Sequence, residues 1–452
     1  MGKTKYLTAP VPSDKTPAGI PYILGNELAE RFSFYGMRCI LVFFMTHLLA
    51  NAAGELAPMT KEQSKVWFHL FVSAVYFTPL IGALISDIWL GKYRTILFFS
   101  MLYCLGYAGL AFNHTRVGLG AGLILIAIGS GVIKPCVSAN VGDQFGKTNK
   151  HLMARMYSWF YFAINLGAFV SNLLIPELLD RYNATVAFGV PGGVMVLATF
   201  VFWLGRKKFV HIPRGGAAFV KECFSGEGLK AIGRLAIIYL FVAPFWALFD
   251  QMDSSWMLQA EKMDRVWLGH KWLSSQIVAV NPLGILLLIP VFSYVIYPAI
   301  DRVFRLSPLR KIGLGLFVGT TPFIINALIE KRIVAGETPS VGWLILAYGL
   351  LTSAEVMVSI TCLEFSYTQA PKKMKSFIMA VFLLSISLGN TFTALVNKFI
   401  QNPDGTSKLE GPSYFWLFVG VMLVTAVLFV PVAARYKVKE HIQDEAQAES
   451  GE

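Results

Sequence analysis

Residues 206–234, RKKFVHIPRGGAAFVKECFSGEGLKAIGR, decide how the rest of the chain is read. The stretch opens on three consecutive basic residues, is rich in glycine and contains no apolar run of bilayer length. About 20 predominantly apolar residues are needed to cross a membrane as a helix, and runs of that order stand on both sides of it. Six precede it, near 28–49, 67–88, 96–112, 119–140, 155–176 and 185–205. Six follow it, near 235–256, 276–297, 312–330, 342–366, 376–397 and 413–434. Of 452 residues, 55% are hydrophobic and 15% are charged, whereas a soluble domain carries about 25% charged residues. A soluble enzyme, a nucleic-acid binder and a disulfide-stapled secreted domain are excluded. The expected fold is an all-α polytopic membrane protein of 12 transmembrane helices in two six-helix bundles.

The domain boundaries follow from those runs. Residues 1–27 form the N-terminal tail and the start of the first helix, and 28–205 the first bundle. The basic linker 206–234 leads into the second bundle, 235–434, and a disordered tail, 435–452. Six helices on either side of one linker is the layout of two-bundle secondary transporters, with substrate held between the halves near the midplane. The polar start, MGKTKYLTAPVPSDKTPAGIP, lacks the short apolar core of a secretory signal peptide. The five cysteines, Cys39, Cys104, Cys136, Cys223 and Cys362, have no paired spacing, so neither a disulfide frame nor a metal site is expected.

The net charge of +12 is distributed by membrane topology. With both termini cytoplasmic, inner loops and tails hold 25 of the 39 Lys and Arg and outer loops hold 11. Arg206-Lys207-Lys208, Arg310-Lys311 and Lys372-Lys373-x-Lys375 are the densest inner clusters. This is the positive-inside pattern, and it places both termini in the cytoplasm of a multi-pass cell-membrane protein. No nucleic-acid partner is implied.

Seven charges stand inside apolar segments: Glu27, Glu30, Arg31, Arg38, Lys134, Asp250 and Glu355. Facing lipid they would together cost on the order of 20 kcal/mol, so they must face an interior site or one another. Glu27 shares a helix face with Glu30 and Arg31, and Arg38 lies two turns further along it. Lys134-Pro135 is expected to interrupt the fourth helix beside a buried ammonium. The first half thus offers a basic cluster mixed with two carboxylates, and the second half offers Asp250 and Glu355. A site between them suits a small zwitterion, its carboxylate toward Arg31, Arg38 and Lys134 and its amine toward Glu355.

Several of these residues fall in motifs. Gly82-Ala-Leu-Ile-Ser-Asp87-Ile-Trp-Leu-Gly91-Lys92-Tyr-Arg94 resembles the loop between helices two and three that marks the major facilitator superfamily. Glu27-x-x-Glu30-Arg31-Phe32-x-Phe34-Tyr35-Gly36 resembles the ExxERFxYY signature of the proton-dependent oligopeptide transporter family, with Phe34 in place of the first tyrosine. Gly131-Val-Ile-Lys134-Pro135, Phe160-Tyr161-Phe-Ala-Ile164-Asn165, Phe245-Trp246-Ala-Leu-Phe-Asp250-Gln251 and Glu364-Phe365-Ser366-Tyr367 agree in order along the chain. The wording is closest to the animal-type peptide transporters. Their large insert between helices nine and ten is absent, as is the extra helix pair of many bacterial members, so the chain reads as a compact prokaryotic member.

The resemblance implies a proton-coupled symporter that imports di- and tripeptides by alternating access. It implies protons as co-substrate, no other cofactor, and a single chain that acts as a monomer. Arg31, Arg38 and Lys134 would hold the peptide carboxylate; Glu355, with Asn165 and Asn281, would hold the amine and the backbone amide. Tyr35, Tyr76, Trp246 and Phe382 would line side-chain pockets, Phe382 standing where the family often has Trp. Glu27, Glu30 and Asp250 would be the proton-coupling carboxylates, with Lys134 partnering Glu27 and Glu30. His69, expected at the outer end of the second helix, matches a histidine tied to coupling in animal-type members. The alternative is another small solute such as nitrate or an organic anion, for which Glu355 would have no amine to meet. No His-x-x-Glu-His or Gly-x-Ser-x-Gly arrangement points to an enzyme.

Overall fold

The computed structural model describes residues 6–146, 148–212, 216, 225–369, 375–402 and 406–437. Linker residues 213–215 and 217–224 (Cys223 among them), the Lys372-Lys373 cluster and the tail beyond 437 lie outside the described residues.

The described residues form twelve helical spans. The first bundle comprises α1 (Ile20–His47), α2 (Lys61–Leu90), α3 (Lys92–Phe112), α4 (Arg116–Asp143), α5 (Met153–Arg181) and α6 (Ala184–Leu204). The second comprises α7 (Ile232–Ala260), α8 (Ser274–Asp301), α9 (Pro308–Val334), α10 (Gly342–Ser366), α11 (Lys375–Ile400) and α12 (Pro412–Arg435). Eleven are long and apolar enough to cross a membrane. The exception is α1, 28 residues long but carrying Glu27, Glu30, Arg31 and Arg38. Its charge marks the wall of a site, since a lipid-facing helix could not tolerate it.

Helix α1 starts at Ile20, eight residues before the apolar run that revealed it. Pro21 in its first turn suits a helix start, where its missing N–H costs nothing, and Asn26, Glu27, Glu30 and Arg31 are therefore well inside the helix. The helix carrying α7 likewise begins at Gly226. Contrary to expectation, α4 runs unbroken through Pro135. Neighbouring helices in a bundle can supply the packing that lets a proline stay within a span.

Within the first bundle α1 packs on α5 and α6, and α3 on α4 and α6. In the second, α7 packs on α11 and α9 on α12. The bundles meet along α2 with α11 and along α5 with α8. Small residues set the closest approaches, as is usual between membrane helices. A Cβ at Gly167 on α5 would lie 2.6 Å from the Leu28 carbonyl oxygen and 3.2 Å from Arg31 Cβ, so glycine lets α5 press onto the charged segment of α1. A Cβ at Gly389 on α11 would lie 2.3 Å from the Ala243 carbonyl oxygen of α7.

An even number of spans puts both chain ends at one end of the molecule, here called the termini end. Polar ties between the bundles gather toward the opposite, far end. Ser73 Oγ on α2 meets Ser387 Oγ and Thr391 Oγ1 on α11, at 2.9 and 2.8 Å. Gln276 Nε2 on α8 donates to the Leu173 carbonyl of α5 at 3.0 Å, and Gln401 Nε2 donates to Thr60 Oγ1 at 3.3 Å.

Candidate functional site

The site begins on α1. Arg31 Nε donates to Glu27 Oε1 at 2.7 Å and stands 3.0 Å from Glu30 Oε2, so one guanidinium holds two carboxylates. Glu30 takes a further hydrogen bond from Ser130 Oγ of α4 at 3.1 Å. All three charged residues are buried.

Lys134 does not join that cluster. Its ammonium lies 4.2 Å from the centre of the Phe34 ring and 4.4 Å from that of Tyr76, and has no hydrogen-bond partner among the described residues. The expected pairing with Glu27 and Glu30 is absent, because two aromatic faces hold the ammonium instead. Such contacts are worth about 2 kcal/mol or more when desolvated, and they leave the ammonium without a carboxylate hydrogen bond among the described residues. Phe34, which removes a phenol from the motif, thereby supplies one of the two ring faces. Tyr35 packs edge-on against Phe34, with centroids 5.5 Å apart.

Arg38, expected on the carboxylate-binding wall with Arg31 and Lys134, is occupied elsewhere. Its Nη2 donates to Asp250 Oδ1 at 2.5 Å and its Nε lies 2.8 Å from Asp253 Oδ2. Both carboxylates stand on a single 3₁₀ turn, Asp250–Asp253, that interrupts α7. Tightening to three residues per turn brings positions i and i+3 into line, so one guanidinium of the first bundle bridges two acids of the second. Asp253 was missed by the sequence reading, although the pattern Asp250-Gln-Met-Asp253 carries it.

His69 lies two turns inside α2 and is fully buried, not at the helix's outer end. Its Nδ1 is 2.7 Å from Asn390 Oδ1, and its Nε2 is 3.0 Å from Ser254 Oγ. Asn390 Nδ2 donates to Asp250 Oδ2 at 2.5 Å. His69, Asn390, Asp250, Arg38 and Asp253 therefore form one polar chain across both bundles. Neither Asn390 nor Ser254 has a signal in sequence alone, because a neutral polar residue in an apolar run is common.

On the second bundle Glu355 ends a regular helical stretch of α10 and precedes a π-helical turn, Val356–Ile360, an irregularity found often at functional sites. Asn281 Nδ2 of α8 donates to Glu355 Oε2 at 2.7 Å and to Thr352 Oγ1 at 3.1 Å. Glu355 makes no ion pair among the described residues. Asn165 is buried and donates to the Tyr161 carbonyl at 3.0 Å. Trp246 is buried with its indole N–H unpartnered among the described residues, edge-on to Phe245 and Phe249. Phe382 is buried edge-on to Tyr239, with centroids 5.6 Å apart.

The POT family model matches residues 93–225 and 224–417. The chain is 36% identical over 374 residues to peptide transporter family 1 of Drosophila melanogaster, covering 72% of this chain and 49% of that one. It is 34% identical over 369 residues to human solute carrier family 15 member 2, covering 70% and 49%. The chain thus spans about half the length of these curated relatives. Solved structures match almost end to end. The structure of an auto-inhibited POT family peptide transporter superposes with a TM-score of 0.86 at 33% identity, covering 95% of this chain and 99% of that one. The POT family transporter PepTSo gives 0.84 at 35% identity, covering 93% and 98%. With a family model over most of its length and the same two-bundle fold, the chain belongs to the POT family.

Proposed function

We propose that the chain is a proton-coupled symporter that imports di- and tripeptides by alternating access, as a monomer in the cell membrane with both termini cytoplasmic. One observation carries the reading: among the described residues, the Lys134 ammonium of the first bundle has no hydrogen-bond partner and the Glu355 carboxylate of the second has no cation in an ion pair. Uncompensated buried charges of opposite sign are costly to keep and are complementary to a ligand with a charge at each end. A peptide supplies both, whereas nitrate or an organic anion leaves Glu355 unmatched. The relatives named as peptide transporters support the same cargo.

Coupling follows from shared charges. Arg31 is held by Glu27 and Glu30, and a proton on either carboxylate loosens that hold and frees the guanidinium for the peptide carboxylate. The far end is closed by Arg38 on Asp250 and Asp253, with His69 attached through Asn390. A proton arriving on His69 or on either acid weakens the closure. Peptide and protons thus bias the same two-state bundle pair.

Purified protein in proteoliposomes, acidic outside, should accumulate labelled dialanine above its external concentration. Unlabelled tripeptides should compete, and nitrate should not. Equal competition by nitrate or a simple carboxylate would overturn the peptide assignment.

A further inference from the structure

Away from the midplane, the far rim of the seam between the bundles holds a second polar cavity, of about 320 Å³. That volume is at the lower end of the range for small-molecule sites, about 300–1,000 Å³. One wall is the first turn of α2, with Lys61, Glu62 and Lys65. The other is the second bundle, with Gln259 of α7, Lys262 just after α7, Glu330 of α9 and Glu410 before α12. The six ionisable groups cancel, three cations against three anions, so neither a bare cation nor a bare anion is favoured.

Two groups in the wall lack what they need. The Lys65 side chain is only 10% exposed, and its nearest carboxylate, Glu62, stands at 3.8 Å. Its other neighbour is the Tyr414 ring, 4.3 Å from the ammonium. Gln259 is 2% exposed and spends its amide N–H groups on the Asn326 carbonyl and on Glu330 Oε2, at 3.0 and 2.8 Å. Its Oε1 accepts from nothing among the described residues. Glu330 is already satisfied by Lys262 Nζ at 2.8 Å and by Gln259. The first bundle therefore offers an ammonium held only by a long ion pair to Glu62 and a ring face, and the second a carbonyl oxygen without an N–H donor among the described residues.

We infer that this cavity is a second binding site, for a small zwitterion of the α-amino-acid type, whose carboxylate meets Lys65 and whose ammonium meets Gln259 Oε1. The ligand would straddle the seam, so the site is complete only while the far end is closed. A ligand that binds one of two states favours it by a factor of 1 + [L]/Kd, about elevenfold at ten times Kd. If the far end faces outward, as the proposed function has it, excess external solute slows uptake by holding that end shut. The regulatory part rests on that reading; the binding part does not.

The probe is L-alanine, which has both charges and no peptide bond, titrated calorimetrically into the full-length protein in nanodiscs. The rim site should bind one L-alanine per chain, read in the Glu355→Gln protein whose central site is disabled, and neither succinate nor ethylamine should give that heat. Lys65→Met should weaken binding at least about tenfold, the loss of one charged contact, whereas Glu355→Gln should leave it intact. Should Lys65→Met lack a cooperative melt, Glu410→Lys at the exposed mouth reports instead, weakening binding at least about threefold. In vesicles, saturating external L-alanine should at least halve wild-type dialanine uptake and spare that of Glu410→Lys. No heat in the wild type, or heat lost in Glu355→Gln but kept in both rim variants, would overturn the site. Heat as expected without any dialanine uptake would keep the site and sink the proposed transport function.

Discussion

Glu355→Gln should abolish concentrative uptake of dialanine and weaken its binding about thirtyfold or more, because losing one partner of a buried charge pair costs about 2–5 kcal/mol. The substitution preserves shape and still offers an oxygen to Asn281 Nδ2, which now bonds Glu355 Oε2 at 2.7 Å. What it removes is the charge that, in the proposed function, meets the peptide ammonium. A dipeptide with an acetylated N-terminus supplies the control, since it brings no ammonium and should bind equally weakly to both proteins. Binding that falls by the same factor for both ligands would make Glu355 a structural residue. Calorimetry with the two ligands on the two proteins gives the answer as a double-mutant cycle.

Arg38→Met should open the far end. In the structure this guanidinium sits between Asp250 and Asp253, at 2.5 and 2.8 Å, with all three side chains buried. Without it, two acids on one helical turn face each other with no cation between them. Removing one partner from a buried ion pair costs about 3–5 kcal/mol, and opening the far end to water relieves that cost. Spin labels at the exposed positions Trp67 on α2 and Leu395 on α11 should report a short distance in the wild type and a longer one in Arg38→Met. Uptake should be lost, since a chain held open at one end cannot alternate. An unchanged distance distribution with normal uptake would show that the α2–α11 packing alone closes the far end. Arg38→Lys should recover closure in part, as a point charge can serve one aspartate but not fork to both.

Much of the fold was legible because the bilayer imposes a length on every crossing element. Twelve runs, one basic linker and an unequal loop charge defined two bundles without any knowledge of packing. Helix ends were less legible where polar residues belong to the site: α1 begins at Ile20 because the turn holding Asn26 and Glu27 faces protein, which an apolar-run reading discards. The same logic made the charged site residues stand out, since each charge in a span demanded a reason. Their pairing was not legible. Arg38 lies on the same face of α1 as Arg31, which grouped them, yet its partners are 212 and 215 residues away and are chosen by how α1 crosses the 3₁₀ turn of α7. Lys134 was expected beside Glu27 and Glu30, and only the packing of Phe34 and Tyr76 around it shows why it stands apart. Neutral relays such as Asn390 are silent in sequence, because their role exists only once α11 is laid against α2 and α7.

In the proposed cycle, peptide and protons cross together. A pH-sensitive dye trapped inside proteoliposomes of the purified protein, with an inside-negative potential imposed and dialanine added outside, reports this. The lumen should acidify only when peptide is added, at a rate that saturates with peptide and vanishes in Glu355→Gln. Labelled dialanine that enters without acidifying the lumen would contradict the account, and so would acidification that proceeds equally well without peptide.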